Sequence, residues 1–283
     1  MKIAVCMHLY YTDMYTLLKK YLQNFKENKF DLYVTLPYEN RHIEEDVRKD
    51  YPDTIFIYTQ NVGFDIYPFL QFLQHIDLEK YDIIFKIHTK KDIPVDTIIN
   101  GYSMKGDTWR RFLLDAIIGS SERIQEIIDL FEKDSKIGMV CSKELIMRDE
   151  QIDRDIDMRC VMHVLAQCGL ELKEKEFIAG TMFAFRPQLM KPFRRRNYIA
   201  EEFPPYFPRD WNGLPYCLER CFSCAISSQG YTMYGISSNP STEVVDYSQA
   251  CMTKIRFKEK LKKALPNGVV NILKSINAKT LKW

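Results

Sequence analysis

The residues of this 283-residue chain best suited to chemistry gather in four short stretches. In "YDIIFKIHTKKD", residues 81–92, an apolar run ends in Lys86, His88, Thr89, Lys90 and Lys91. Ligands of α/β proteins sit at the carboxyl ends of strands, so a cationic strand end points to an anionic ligand, phosphate first. Period-two alternation puts Lys86, His88 and Lys90 on one side of such a strand. The competing reading is a solvated loop start, with His88 a hydrogen-bonded structural histidine. In "QNVGFDIYPFL", residues 60–70, Gly63 permits a tight turn, and Asn61 and Asp65 flank it with hydrogen-bonding groups. Asp65 precedes an expected helix; it either caps that helix or accepts hydrogen bonds from a nucleoside.

The third stretch, "GTMFAFRP", residues 180–187, opens with Gly180, where a ligand can approach the backbone, and Thr181, which adds a hydroxyl. The alternative is a plain turn. The fourth, "RDWNGLPYCLERCF", residues 209–222, carries Asp210 in a loop and Glu219 beside Arg220 on an expected helix. An inverting glycosyl transfer needs a carboxylate that removes the acceptor hydroxyl's proton as it attacks the anomeric carbon. Either Glu219 or Asp210 could serve, the competing role of Glu219 being a helix salt bridge. The departing diphosphate must also be stabilised, either by a metal held on carboxylates or by fixed cations. The strand end at 81–92 offers no carboxylate pair, only Asp92 among cations, so His88, Lys90 and Lys91 are expected to receive that charge. No metal ligands are assigned and no cofactor is firmly implied; the missing carboxylate pair counts against a divalent ion.

The elements that must position these residues follow from hydrophobic patterning. "KIAVCMHL", "FDLYVTLP", "TIFIYTQN" and "YDIIFKIHT" read as strands, separated by helical spacing in "MYTLLKKYLQNF", an amphipathic stretch from Arg41 to Lys49, and "YPFLQFLQHI". This alternation predicts an α/β fold with an open, mostly parallel sheet flanked by helices. "WRRFLLDAIIGSSERIQEIIDLFEKD" predicts two helices broken near Gly119, with Ser120 or Ser121 capping the second. "IGMVCS" and "GTMFAFRP" follow as strands, then a helix in "GLPYCLERCFSCAISSQGY" ended by Gly230, and a last strand in "YTMYGI".

The composition, 46% hydrophobic and 28% charged with a formal net charge of +2, is that of an ordinary globular chain and gives no general attraction to nucleic acid. The amino terminus "MKIAVCMHLYY" reads as a first strand and not as a signal peptide, which implies a reducing compartment and free thiols for the eight cysteines. Cys217, Cys221 and Cys224 fall on one helical face and read as small buried hydrophobes, because no fourth ligand has zinc-like spacing nearby. No apolar run approaches the ~20 residues needed to span a bilayer. From Lys254 to Trp283, nine lysines and arginines face one acid, Glu259. Residues 1–246 therefore read as one domain and 247–283 as a basic amphipathic tail. That tail either lies on an anionic membrane surface or folds back on the body.

Taken together, "NVGFDIYPFL", "YDIIFKIHTKK", "GDTWRRFLLDAIIGS", "IGMV", "AGTMFAFRP" and "LERCF" resemble the rhamnan synthesis protein F family over roughly residues 1–236. The family's members are bacterial glycosyltransferases of cell-wall, capsule and O-antigen polysaccharide assembly. The resemblance implies a GT-A-like nucleotide-sugar fold and transfer of a deoxyhexose, typically rhamnose from dTDP-rhamnose, onto a lipid-linked glycan. The cytoplasmic face of the cell membrane is the place this implies. Carried over by position, Asn61, Gly63 and Asp65 match the family's turn, and Lys86, His88, Thr89, Lys90 and Lys91 its strand end. Trp109 and Arg110 match its tryptophan-arginine pair, Gly180 and Thr181 its GTMF element, and Glu219 and Arg220 its ER helix. "DWNG" departs from the family's aspartate-glycine before that helix, so Asp210 aligns only loosely. The remaining alternative is a non-catalytic glycan- or nucleotide-binding subunit of an assembly complex.

Overall fold

The computed structural model describes residues 1–148, 158–203 and 213–238. Asp210, the expected boundary at 246 and the basic tail lie outside the described residues. Where the sequence runs apolar without alternation, the chain forms strands covered on both faces. Such are β1 (Ile3–His8), β4 (Ile83–His88) and β7 (Ile137–Ser142), buried along their whole length. With β2 (Phe30–Pro37), β3 (Ile55–Thr59), β10 (Phe183–Phe185) and β11 (Thr232–Ile236) they build one seven-stranded sheet in the order β11-β7-β10-β4-β1-β2-β3. Every neighbouring pair is parallel except those of β10, which runs antiparallel to both β4 and β7. Two short ribbons, β5 (Ile98–Ile99) with β6 (Tyr102–Ser103) and β8 (Ile146–Arg148) with β9 (Glu176–Ile178), stand outside it. The α/β sheet expected from the alternation of elements is thus present.

The helices cover both faces. α3 (Ile66–His75) and α7 (Leu214–Ser228) pack together on one side, with α6 (Met158–Gln167) outside α7. α1 (Tyr15–Leu22), α4 (Thr108–Ile118) and α5 (Ser121–Lys133) belong to the other, and α2 (Glu44–Asp50) joins β2 to β3. The break between α4 and α5 falls at Gly119–Ser120, and the Ser120 hydroxyl accepts the Arg123 N–H, as a capping serine should. α6 and the two ribbons were not foreseen; the ribbon strands, two or three residues each, are too short to show a period. On the α3 side the core is a packed set of phenylalanines. Phe69 meets Phe222 edge to face at 5.1 Å between centroids and reaches Phe183 and Phe185 as well. Cys217, Cys221 and Cys224 are buried on α7, as small apolar side chains are.

One topological feature fixes where a ligand belongs. From β1 the chain steps outward to β2 and β3, then returns to lay β4 on the other side of β1. The direction of strand succession reverses between β1 and β4, and a crevice opens outside the carboxyl ends of strands at such a point. His8 and His88 end those two strands and are direct partners in register.

Candidate functional site

Lys86 lies in the middle of the apolar run of β4 and is 2% exposed. A buried ammonium must be paired and hydrogen-bonded, and all three of its protons are. Nζ donates to Asp65 Oδ2 at 2.5 Å, to the Thr181 carbonyl at 2.7 Å and to Thr181 Oγ1 at 3.1 Å, above the Phe69 ring at 5.1 Å. Thr181 Oγ1 in turn donates to Asp65 Oδ2. Asp65 stands at the N-cap position of α3, but its side chain makes no cap bond; it turns inward to Lys86 instead. Burial alone would raise its carboxyl, yet the Lys86 ammonium and the bonds from Lys86 and Thr181 hold it well below the usual carboxylate range. This corrects the expectation that Lys86 serves a phosphate. Its donors are spent inside the protein, tying the β3–α3 loop to the start of β10.

Thr181 takes up a left-handed backbone (φ +50°) directly after Gly180 at φ +95°. A Cβ on Gly180 would lie 2.9 Å from both Leu113 Cδ1 and Trp109 Nε1, so glycine is required there by space as well as by angle. The turn points the Gly180 N–H at Glu219, whose Oε1 accepts it at 2.9 Å. Burial pushes the Glu219 carboxyl above its ordinary value; the Gly180 bond and the Arg220 and Lys90 charges oppose that rise. A half-buried carboxylate with a raised pKa, held by the Gly180 N–H, is a stronger proton acceptor than an ordinary glutamate. Arg220, beside it, is buried; it donates to the Tyr216 carbonyl and stacks on Phe177 at 4.4 Å.

At the end of β4 the charges differ from a simple cationic cluster. Burial pushes the His88 imidazole down to about 3, Asp65 opposing, so it is neutral at pH 7 and supplies no fixed positive charge. This corrects the expectation that His88 is a fixed cation: burial disfavours its charged form, and the neighbouring Lys86 charge adds to that effect against Asp65. His88 Nδ1 sits 3.5 Å from Asp65 Oδ2 without a hydrogen bond. Thr89 is buried and pins the loop after β1, its Oγ1 accepting the Tyr10 and Tyr11 N–H groups at 3.1 and 3.0 Å. The Lys90 ammonium rests 3.8 Å from the centroid of the Trp109 ring, and Trp109 Nε1 donates to the Ala179 carbonyl at 3.4 Å. Lys91 is exposed, with Asp13 at 3.0 Å and the Tyr11 ring at 4.8 Å. Arg110 donates to the Lys90 carbonyl at 3.0 Å and to Asp92 at 2.5 Å, bracing this loop.

Asn61 is half-buried in the β3–α3 loop, and Gly63 (φ +65°) has no room for a side chain against Phe203 and Tyr67. Among the described residues no three His, Cys, Asp or Glu side chains converge as metal ligands. His8 was missed by sequence reading. It is buried, bonded through Nδ1 to Thr35 Oγ1 at 3.0 Å, and pushed by burial down to about 4. The signal was available, since "CMHL" ends its strand in a histidine just as "FKIHT" does.

The sequence model of the family described as rhamnan synthesis protein F matches residues 1–231. The protein WxcX of Xanthomonas campestris pv. campestris (strain B100), itself uncharacterized, is 25% identical over 197 residues. The match takes in 67% of this chain and 27% of WxcX, so the chain spans about a quarter of the length of the curated relatives it matches. Crystal structures of S. aureus TarS are distant neighbours. The TarS 1-349 structure is 11% identical, with a TM-score of 0.40 over 83% of this chain and 60% of that chain. Its complex with UDP is 12% identical, with a TM-score of 0.37 over 72% and 52%.

Proposed function

The chain belongs to the rhamnan synthesis protein F family, and from that premise we propose that it is a glycosyltransferase of cell-surface polysaccharide assembly. In this reading it moves a deoxyhexose, rhamnose, from a nucleotide sugar such as dTDP-rhamnose to a lipid-linked glycan, with inversion. The work is done at the cytoplasmic face of the membrane, with the basic segment 247–283 on anionic lipid. The observation that carries the reading is one continuous set of contacts, Lys86 to Asp65 and Thr181, and Gly180 to Glu219. It holds a carboxylate of raised pKa at the carboxyl edge of the sheet, where strand succession reverses.

Glu219 is the base. It takes the proton of the acceptor hydroxyl as that oxygen bonds to the anomeric carbon and the bond to the diphosphate breaks. The charge shed on the diphosphate is received by Lys90 and Lys91, with Arg110 behind them, while neutral His88 offers a hydrogen bond and no charge. Asn61 and the backbone around Gly63 and Gly180 face the donor; Asp65, Lys86 and Thr181 hold that backbone in place, Trp109 steadies Lys90, and Thr89 fixes the adjoining loop. Asp210 is the reserve candidate for the base.

Glu219→Gln tests this, because the amide oxygen still accepts the Gly180 N–H. Turnover should fall about 10²–10⁴-fold while affinity for the nucleotide sugar is kept. A variant with full turnover would remove Glu219 from the mechanism. Wild-type protein that binds nucleotide sugar but turns none over would favour the non-catalytic binding subunit.

A further inference from the structure

β1, β2 and β3 run parallel with β4, so the residues that end or follow them emerge on one rim of the sheet. Four of those residues are tyrosines: Tyr10 and Tyr11 after β1, Tyr38 after β2, and Tyr58 near the end of β3. Turns at strand ends ordinarily draw on small and polar residues, so a row of phenols there asks for a reason.

The four are linked from the reaction centre outward. The Lys91 ammonium lies 4.8 Å from the centroid of the Tyr11 ring, and Tyr11 meets Tyr10 edge to face at 4.7 Å. Asn40 Nδ2 donates to the Tyr10 carbonyl at 2.5 Å, fastening the turn after β2 to the loop after β1. In that turn Tyr38 stacks on Tyr58, with centroids 6.1 Å apart and planes within 20°. Tyr58 is itself fixed, since its hydroxyl donates to Glu44 and the Arg41 guanidinium lies over its ring at 5.2 Å. Tyr38 is thus a flat ring on a rigid backing, yet it is 63% exposed, more than any other aromatic side chain among the described residues.

A pyranose presents a patch of C–H bonds whose positive ends match the negative face of an aromatic ring, and hydroxyls around its edge. The exposed Arg41 side chain stands next to the stacked pair as a donor for such hydroxyls. The row starts at Lys91, where the diphosphate is assigned, and Tyr38 is well removed from that end. We propose that this tyrosine rim is a track for the acceptor glycan, with Tyr38 stacking a sugar ring remote from the reacting one. The inference rests on the glycosyltransferase reading and adds to it a binding site that only a chain of several sugars can fill.

That dependence on length supplies the test, read on the full chain by saturation-transfer NMR. The probes are a rhamnose hexasaccharide, a rhamnose disaccharide and dTDP-rhamnose. Wild type should bind the hexasaccharide about 10-fold more tightly than the disaccharide, and Tyr38→Ala should abolish that advantage. The variant should leave the affinities for the disaccharide and dTDP-rhamnose within about 2-fold of wild type, and its melting temperature within about 2 °C, because the side chain is exposed. Tyr38→Trp, which keeps a flat ring, should bind the hexasaccharide within about 3-fold of wild type. Three results each overturn the track and leave the transferase reading standing: no length advantage in wild type, an advantage retained by Tyr38→Ala, or a loss that extends to dTDP-rhamnose. The last would place the ring at the nucleotide. Wild-type protein that binds none of the three probes overturns both.

Discussion

Lys86 shows how a single residue type sets a requirement that the fold then meets. An ammonium inside "IIFKIH" needs a partner, and the structure supplies Asp65 from 21 residues earlier. Removing one member of such a pair strands the other. Lys86→Met should cost about 3–5 kcal/mol in urea unfolding, and the double variant Lys86→Met/Asp65→Leu should recover most of that. A loss in the double variant equal to the sum of the losses of Lys86→Met and Asp65→Leu would show the pair to be uncoupled. The Asp65 carboxyl is depressed in the folded state, so its contribution is present above the pH where an unfolded aspartate titrates. It is lost as the pH falls through the folded value. His88 follows the opposite logic, because burial without a free counter-charge leaves it neutral.

At the scale of elements, the turn into β10 links the two halves of the candidate site. Gly180 combines a left-handed backbone with a crowded position, and its N–H holds Glu219. Gly180→Ala should cost about 1–3 kcal/mol of stability through strain. It should also weaken the bond that lowers the Glu219 pKa. In the proposed mechanism the base works only when ionised, so the raised Glu219 pKa should place the acid limb of turnover above the ordinary glutamate range, and the variant should move that limb higher still. A pH–kcat profile identical to wild type would disconnect Gly180 from the base. The sequence announced this turn through its glycine, and it announced the α4–α5 break through Ser120; both signals are local, and local signals survive in sequence. The inward swing of Asp65 was not announced. Its position reads as a helix cap, and only the nearness of Lys86 in space draws the side chain away.

For the whole molecule, the decisive feature is the reversal of strand succession between β1 and β4, which gathers residues 8, 61–65, 86–91, 180–181 and 219 from five separate segments. The proposed attachment of segment 247–283 to lipid belongs to this scale too. A chain ending at residue 246 should keep the melting temperature of the body and lose most of its binding to vesicles containing phosphatidylserine, since each basic residue near such a surface contributes about 1 kcal/mol. Retained vesicle binding would place the contact on residues 1–246.

By itself the sequence determined the order of the sheet strands and of the helices other than α6, the mostly parallel α/β class, the four chemical stretches and the family, because hydrophobic period, turn residues and motif spacing are properties of neighbours along the chain. Tertiary structure alone decided which charges remain available. Lys86 and Asp65 cancel within the core, His88 becomes neutral, and Glu219 becomes a carboxylate of raised pKa. The physical reason is that charge state depends on burial and on partners brought together from distant segments, and neither is encoded in any one stretch of residues.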